Sequence, residues 1–216
     1  MTSARGHAEA SVERLFQSSL VDAIRTRRTV RRFLPDPISS ELLGEILALA
    51  LRAPSAHNSQ PWRFVVLQNR EDRQALAQVM GVELRASRLK DGDLLEVVEA
   101  DVARSTALIL AAPTAILVCM TRADMHVYPD PDRDLAEMTM GAQSAALAAG
   151  FILLAAHASG LGGCWMCAPL FCGDAVRSLL KLAEDWAPQA LILLGHSEGD
   201  GETKGRRAMQ EVVLWR

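Results

Sequence analysis

Five arginines, Arg25, Arg27, Arg28, Arg31 and Arg32, fall within eight residues of a chain whose net charge is −3. The run Arg27-Arg28-Thr29-Val30-Arg31-Arg32-Phe33 has a counterpart near the far end, Lys204-Gly205-Arg206-Arg207. A guanidinium fork binds phosphate oxygens two at a time, and a lysine supplies a point charge. Two such clusters could converge on one terminal phosphate. Charge pattern alone is explained more plainly by surface salt-bridge clusters, or by the solvated basic end of a helix. With 23 basic and 26 acidic side chains, the chain lacks the strongly basic surface that nucleic-acid binding needs. A local basic segment in an acidic chain fits a small anionic ligand better than a polyanion.

A second segment, Ala53-Pro54-Ser55-Ala56-His57-Asn58-Ser59-Gln60-Pro61-Trp62, is dense in neutral donors and acceptors. These suit the edge of a polar heterocycle better than a metal or a phosphate. Ordinary turn chemistry favours the same residues. His57 could titrate near neutrality at the mouth of a site, or simply be solvated. Cys164-Trp165-Met166-Cys167 has the spacing of a redox dithiol or of half a zinc site. Zinc would need Cys172, His157 or His196 to converge on it, and thiols packing as small apolar groups are the plainer account. No paired-carboxylate or Ser/His/Asp pattern accompanies these segments.

The elements that must position these groups can be read from periodicity. Residues 1–10 read as a flexible tail and 11–216 as one domain, large enough for a substantial core. Helical spacing runs from about Ser11 to Arg25 until Pro35-Asp36-Pro37. Ser39 can cap a second helix that ends before Pro54. Trp62–Leu67 reads as a strand. Helices are expected near Glu71–Val79 and Leu94–Leu110, with a polar loop at Lys90–Asp93. Thr114–Met120 is short and apolar enough for a buried strand. Asp134–Ala158 is apolar nearly all round, so its own domain or a second subunit must cover it. Gly160-Leu161-Gly162-Gly163 ends that helix. A short strand at Cys164–Cys167, a helix at Asp174–Leu182 and a last core strand at Ala190–Leu194 follow. Val212–Trp215 is too apolar to dangle and is expected to add a strand to a sheet, in this chain or in a partner. The stretch Ala145–Ala156 is shorter than a membrane span needs, and no secretory signal precedes the four cysteines. A cytoplasmic, reduced protein with no membrane role is expected.

The series R-R-T-V-R-R-F, then P-D-P, then A-P-S-A-H-N-S-Q-P-W-R-F-V-V resembles the opening of nitroreductase-like FMN proteins. The later G-L-G-G-C-W and K-G-R-R…E-V-V-L-W are similar to that family too, so the resemblance spans nearly the whole chain from Val21. Cys164–Phe171 looks like the branch containing the flavin domain of deazaflavin-coenzyme biosynthesis proteins.

The resemblance implies an α+β fold with a central mixed, mostly antiparallel sheet flanked by helices. It implies a homodimer with FMN between the subunits and a C-terminal strand open to exchange with the partner. Arg27, Arg28, Thr29 and Arg31 match positions holding the phosphate, ribityl chain and pyrimidine edge. Lys204 and Arg206 match the basic pair at the phosphate. Pro54, Ser55, Ala56 and Asn58 match a loop reaching the neighbouring subunit's flavin, and Pro169 and Leu170 pass near the ring's reactive face. Arg28 or Arg31 near the N1–C2 carbonyl edge would stabilise negative charge there. Phe171 and Cys172 replace the family's usual acidic-Gly pair, and Gly150-Phe151 replaces a frequent Gln-Asn pair.

The implied activity is hydride transfer from NAD(P)H, NADPH included, through FMN to a small electron-poor substrate of nitro, quinone or enone type. The alternating use of one flavin face implies ping-pong kinetics with no essential acid or base. The alternatives are a flavin- or deazaflavin-binding module, a dehydro-intermediate reductase, or a flavin-consuming enzyme in coenzyme biosynthesis.

Overall fold

Thr114–Met120 is buried at every position, as expected of a strand covered on both faces. The computed structural model describes residues 19–199, 201 and 204–216. The expected tail and the first part of the Ser11–Arg25 helix lie outside these. Four strands, β1 (Trp62–Leu67), β2 (Thr114–Met120), β3 (Gly162–Met166) and β4 (Ala187–Gly195), form one sheet in the order β1-β2-β4-β3. Every strand pair is antiparallel. The parallel component is confined to an isolated bridge between Thr29 and Gly163.

Successive side chains on a strand face opposite ways, and the two faces have different coverings. Ile116, Val118, Ala190, Ile192 and Leu194 pack with α2 (Ser40–Ala50) and α5 (Pro131–Ala158). Ala115, Leu117, Cys119, Leu191 and Leu193 pack with α3 (Arg70–Lys90), α4 (Leu95–Ala111) and α6 (Gly173–Leu180). Ser39 caps α2 as expected, its hydroxyl accepting from the Leu42 amide at 3.2 Å. The short α1 (Leu20–Thr26) also lies against α5.

α5 starts three residues before the expected Asp134, because Asp130 caps it and Pro131 fits its first turn. Its 28 residues are long and apolar enough to cross a bilayer. Yet Ala145, Ala148, Ala149, Ile152 and Ala156 are fully buried, and the helix touches all four strands, α1 and α2. Small side chains on that face allow close approach to the sheet. Leu135, Ala136, Thr139, Gln143, Ala146 and Leu147 form an exposed strip on the other side.

Two other elements depart from the sequence reading. α3 does not stop near Val79 but continues to Lys90, because α4 runs beside it. Gly81 is a contact point there: a Cβ on it would lie 3.0 Å from Val102. Arg85–Glu99 and Arg88–Asp101 ion pairs tie the two helices further out. The apolar tail does not form a strand within this chain. It makes a short helix, α7 (Met209–Val212), and leaves Leu214 and Trp215 exposed. The outer edge of β3 is already occupied, since Val30 donates its amide to the Gly163 carbonyl at 3.0 Å.

Candidate functional site

After α1 the chain becomes extended and is pinned on both sides. Thr29 bridges Gly163 at the start of β3, and Phe33 bridges Ser197 just after β4. Leu34 donates to the His196 carbonyl at 2.9 Å, and Glu198 donates to the Arg32 carbonyl at 3.0 Å. Gly201 has φ +74, and a Cβ on it would lie 3.1 Å from the Thr29 carbonyl and 3.3 Å from Arg28 Cβ. A backbone that close, in that conformation, requires glycine. Gly201 is therefore laid directly on Arg28–Val30.

Thr26, Arg28 and Val30 face a cavity of about 410 Å³, completed by His157 at the end of α5, Ser197 and the glycines 160, 162 and 199. Its polar side chains are a guanidinium, two hydroxyls and an imidazole, with no carboxylate in the lining. Arg28 Nη1 rests on the carbonyls of Arg25 and Arg27 at 2.9 and 3.0 Å. Among the described residues, Arg27, Arg28, Arg31, Arg32 and Arg206 enter no salt bridge, while Arg63, Arg85, Arg88, Arg104, Arg122, Arg133 and Arg177 all do. The account of these arginines as paired surface charges is overturned. It holds for Arg207, which pairs with Glu211 at 3.7 Å. Burial, then the charges of Arg27 and Arg28, hold the His157 imidazole below its usual range. Arg31, three residues beyond Arg28, acts instead on Cys164. Arg206 turns onto the carbonyls of Lys204 and Gly205 and shares no partner with Arg27.

The second predicted segment lies elsewhere. Pro54 is exposed, and Ala56–Asn58 form a 3-10 turn held to α5 by the Ala56 amide donating to Ser144 Oγ at 3.3 Å. Ser55 Oγ accepts from the Gln60 amide at 3.0 Å. His57, Asn58 and Gln60 take φ of 53, 54 and 47. Asparagine tolerates this region, whereas for histidine and glutamine it is costly, and such strain gathers at functional sites. The loop borders a cavity of about 810 Å³ with Asn58, Gln60, Arg63, Asp124 and Trp186. His57 meets His126 edge-on, 5.7 Å between ring centres. Ser144 and His157 are thirteen residues apart on α5, about 20 Å along its axis. The two segments thus border separate cavities.

Pro169 is buried and Leu170 exposed in a 3-10 turn, Ala168–Phe171, at the edge of the α3/α6 layer. The neighbouring cysteines are divided. Burial raises the thiols of Cys164 and Cys172, the latter to about 11, and that of Cys119 to about 12. Cys167 departs from the expected burial: it is exposed and accepts from the Trp165 indole N–H at 3.2 Å. Met138 packs against the core as expected.

Residues 24–196 match the Nitroreductase family. The chain belongs to the nitroreductase family. It is an oxidoreductase enzyme, and the matched span includes Arg27–Arg31, the Pro54–Gln60 loop and Pro169-Leu170 but stops before Lys204. A protein named NADH dehydrogenase from Thermus thermophilus is 30% identical over 208 residues, covering 88% of this chain and 92% of that relative. A structure described as a nitroreductase in complex with FMN, from Desulfovibrio desulfuricans, is similar at TM-score 0.71 and 25% identity, over 93% of this chain and 98% of the other. A BluB-like flavoprotein from Clostridium difficile shares the fold at TM-score 0.79 and 22% identity, over 92% and 99%.

Sequence reasoning placed both arginine clusters and the polar loop but missed Thr26, Ser197, Asp124 and His126. These come from segments with no motif. His157 was considered only as a zinc ligand. Its signal was present, as a lone ionisable group in the apolar run Ala145–Ala158.

Proposed function

We propose that this nitroreductase-family enzyme binds FMN and transfers hydride from NAD(P)H to a small electron-poor organic substrate, as a cytoplasmic homodimer. The observation that carries the reading is the carboxylate-free cavity beside arginines that enter no salt bridge among the described residues. Such an arrangement lacks an anion, and the FMN phosphate supplies one. Glycines at 162 and 201 let neighbouring chain pack directly on Val30 and Thr29, which fixes the 27–31 segment beside the cavity. When bound, FMN accepts and donates hydride at N5.

The chain's own residues bind, orient and exclude water. In the reading, Arg27, Arg28, Lys204 and Arg206 hold the phosphate, and Thr29 and Arg31 hold the ribityl chain and pyrimidine edge. Pro169 and Leu170 back the ring. Pro54, Ser55, Ala56 and Asn58 meet the cofactor of a second copy. The 20 Å between the loop and the basic cavity supports that last assignment, because one chain separates what one ligand would need together.

Dimerisation is further supported by the exposed α5 strip ending at Leu147 and by exposed Leu20, Val21 and Ile24 on α1, which lies against α5. Exposed apolar residues grouped on neighbouring helices are the kind of surface an interface covers.

The test is purification followed by FMN titration, then NADH and NADPH oxidation with a quinone or nitroaromatic acceptor. Bound flavin and acceptor-dependent oxidation of at least one nicotinamide are expected. A protein that takes up no FMN at tens of micromolar would overturn the reading.

A further inference from the structure

His157 has no role in the assignments above, yet it lines the cavity with Arg28. Its Nε2 lies 2.8 Å from Thr26 Oγ1. The same hydroxyl lies 2.6 Å from the Asp22 carbonyl, to which it can only donate. A threonine hydroxyl has one hydrogen, so toward His157 it must accept. Nε2 therefore carries a hydrogen in either charge state, and in the neutral ring Nδ1 is a bare acceptor. Nδ1 forms no hydrogen bond among the described residues. A neutral His157 turns a lone pair toward any anion, and only the protonated ring offers a second donor.

We infer that His157 is an additional phosphate-binding residue and that an anion entering this cavity brings one proton onto its Nδ1. The inference rests on the proposed FMN reading. Charged groups on the neighbouring elements are Asp22 and Arg25 on α1, Arg27 and Arg28 after it, Arg52 beyond α2, and His196 and Glu198 after β4. Of these, Arg27 and Arg28 act resolvably on the imidazole, and both disfavour its charge. A phosphate dianion beside the two guanidiniums reverses the sign of that field. The position at the C-terminal end of α5 favours the charged ring as well. By linkage, binding that raises a histidine pKa takes up protons and weakens as pH rises.

The experiment is calorimetric titration with FMN at pH 7.5 in two buffers of different ionisation enthalpy, on the wild-type protein and on His157→Gln. Glutamine keeps a donor for Thr26 but cannot take the proton. Free phosphate esters have a second pKa near 6, so at this pH the ligand itself contributes little proton exchange. Wild type should take up roughly half a proton or more per FMN, and its affinity should fall about threefold or more from pH 7 to 8.5. His157→Gln should bind about three- to tenfold more weakly, without proton uptake and without that pH slope. Riboflavin, which lacks the phosphate, should bind without uptake to either protein. FMN binding with uptake unchanged in His157→Gln, or absent in wild type, overturns this inference and leaves the FMN reading standing. Failure of FMN to bind at all overturns both.

Discussion

The C-terminal end and the middle of α5 border cavities of different character. At the C-terminal end, Thr26, Arg28, His157 and Ser197 line a small cavity, and among the described residues Arg27, Arg28, Arg31 and Arg32 enter no salt bridge. Near the middle, His57, Asn58 and Gln60 sit in strained backbone around a wider cavity. There the one guanidinium, Arg63, already faces a carboxylate, Asp124, at 4.0 Å. The first region has unspent positive charge and little backbone strain apart from its glycines. The second has balanced charge and strained backbone. A phosphate is gripped by charge, which tolerates some imprecision of placement. In the proposed reading, the strained loop presents neutral groups to the edge of a ring. The two regions lie about 20 Å apart on the same helix, so the comparison makes sense for one ligand only if each chain lends one region to its partner.

The hardest blow to that comparison is removal of the second copy. Leu147 is 46% exposed at the C-terminal end of the α5 strip, beside residues packed on the sheet. A glutamate there leaves the single chain's core untouched and places a buried charge against its symmetry mate. Leu147→Glu should give a folded monomer by light scattering and circular dichroism, with FMN binding lost by two orders of magnitude or more. A monomer retaining full FMN affinity would show that one chain suffices and that the split is fortuitous. Leu147→Met should remain dimeric.

Within the charged region, the unpaired and paired arginines should behave differently. Arg27→Ala and Arg206→Ala each remove a charge-assisted contact typically worth about 1.5–3 kcal/mol, so FMN affinity should fall roughly 10- to 150-fold. Arg207 is committed to Glu211, and Arg207→Ala should stay within about threefold of wild type. Equal effects at all three positions would mean that the cluster acts as diffuse charge rather than as placed forks. High salt would then abolish the difference.

The contrast was unevenly legible in the sequence. β1 and β2 were bounded by residue type alone, since an apolar run closed by turn residues has one sensible fold at that length. Ser39 as a cap was equally plain, whereas the α5 start was placed three residues late, at Asp134. The extension of α3 to Lys90 was not legible, because it is decided by α4 lying against Gly81, a contact between residues far apart in sequence. Arg28 and Arg31 could be named as anion binders, but not separated: that they act on different neighbours follows from Thr29 bridging Gly163 and fixing the alternation. The polar loop was readable in composition and silent in conformation. Nothing in A-H-N-S-Q announces three left-handed residues, because the strain is imposed by Ser144 and by the Ser55–Gln60 bond.

The smallest effect is expected at the residue that looks most catalytic. His57 is exposed, stands in left-handed backbone and touches His126 edge-on, and no carboxylate orients either ring. The His126 backbone amide, not its imidazole, is the group that Glu137 holds, at 3.1 Å. A general acid or base usually contributes about 10²–10⁴-fold in rate, and it does so when a second group fixes its tautomer. The geometry at His57 gives it a place in the wall of the wider cavity without that support. His57→Ala should therefore lower turnover by less than about tenfold, with FMN occupancy unchanged. Its effect should fall on the KM for the oxidising substrate more than on kcat, since it removes wall and not reactivity. Asn58→Ala, at a comparable φ, separates strain from side-chain chemistry: a similar loss at both positions would assign the effect to the loop's conformation. A hundredfold or greater loss of kcat at His57 alone would make it a proton donor. The wider cavity would then be a reactive site and not a reading surface.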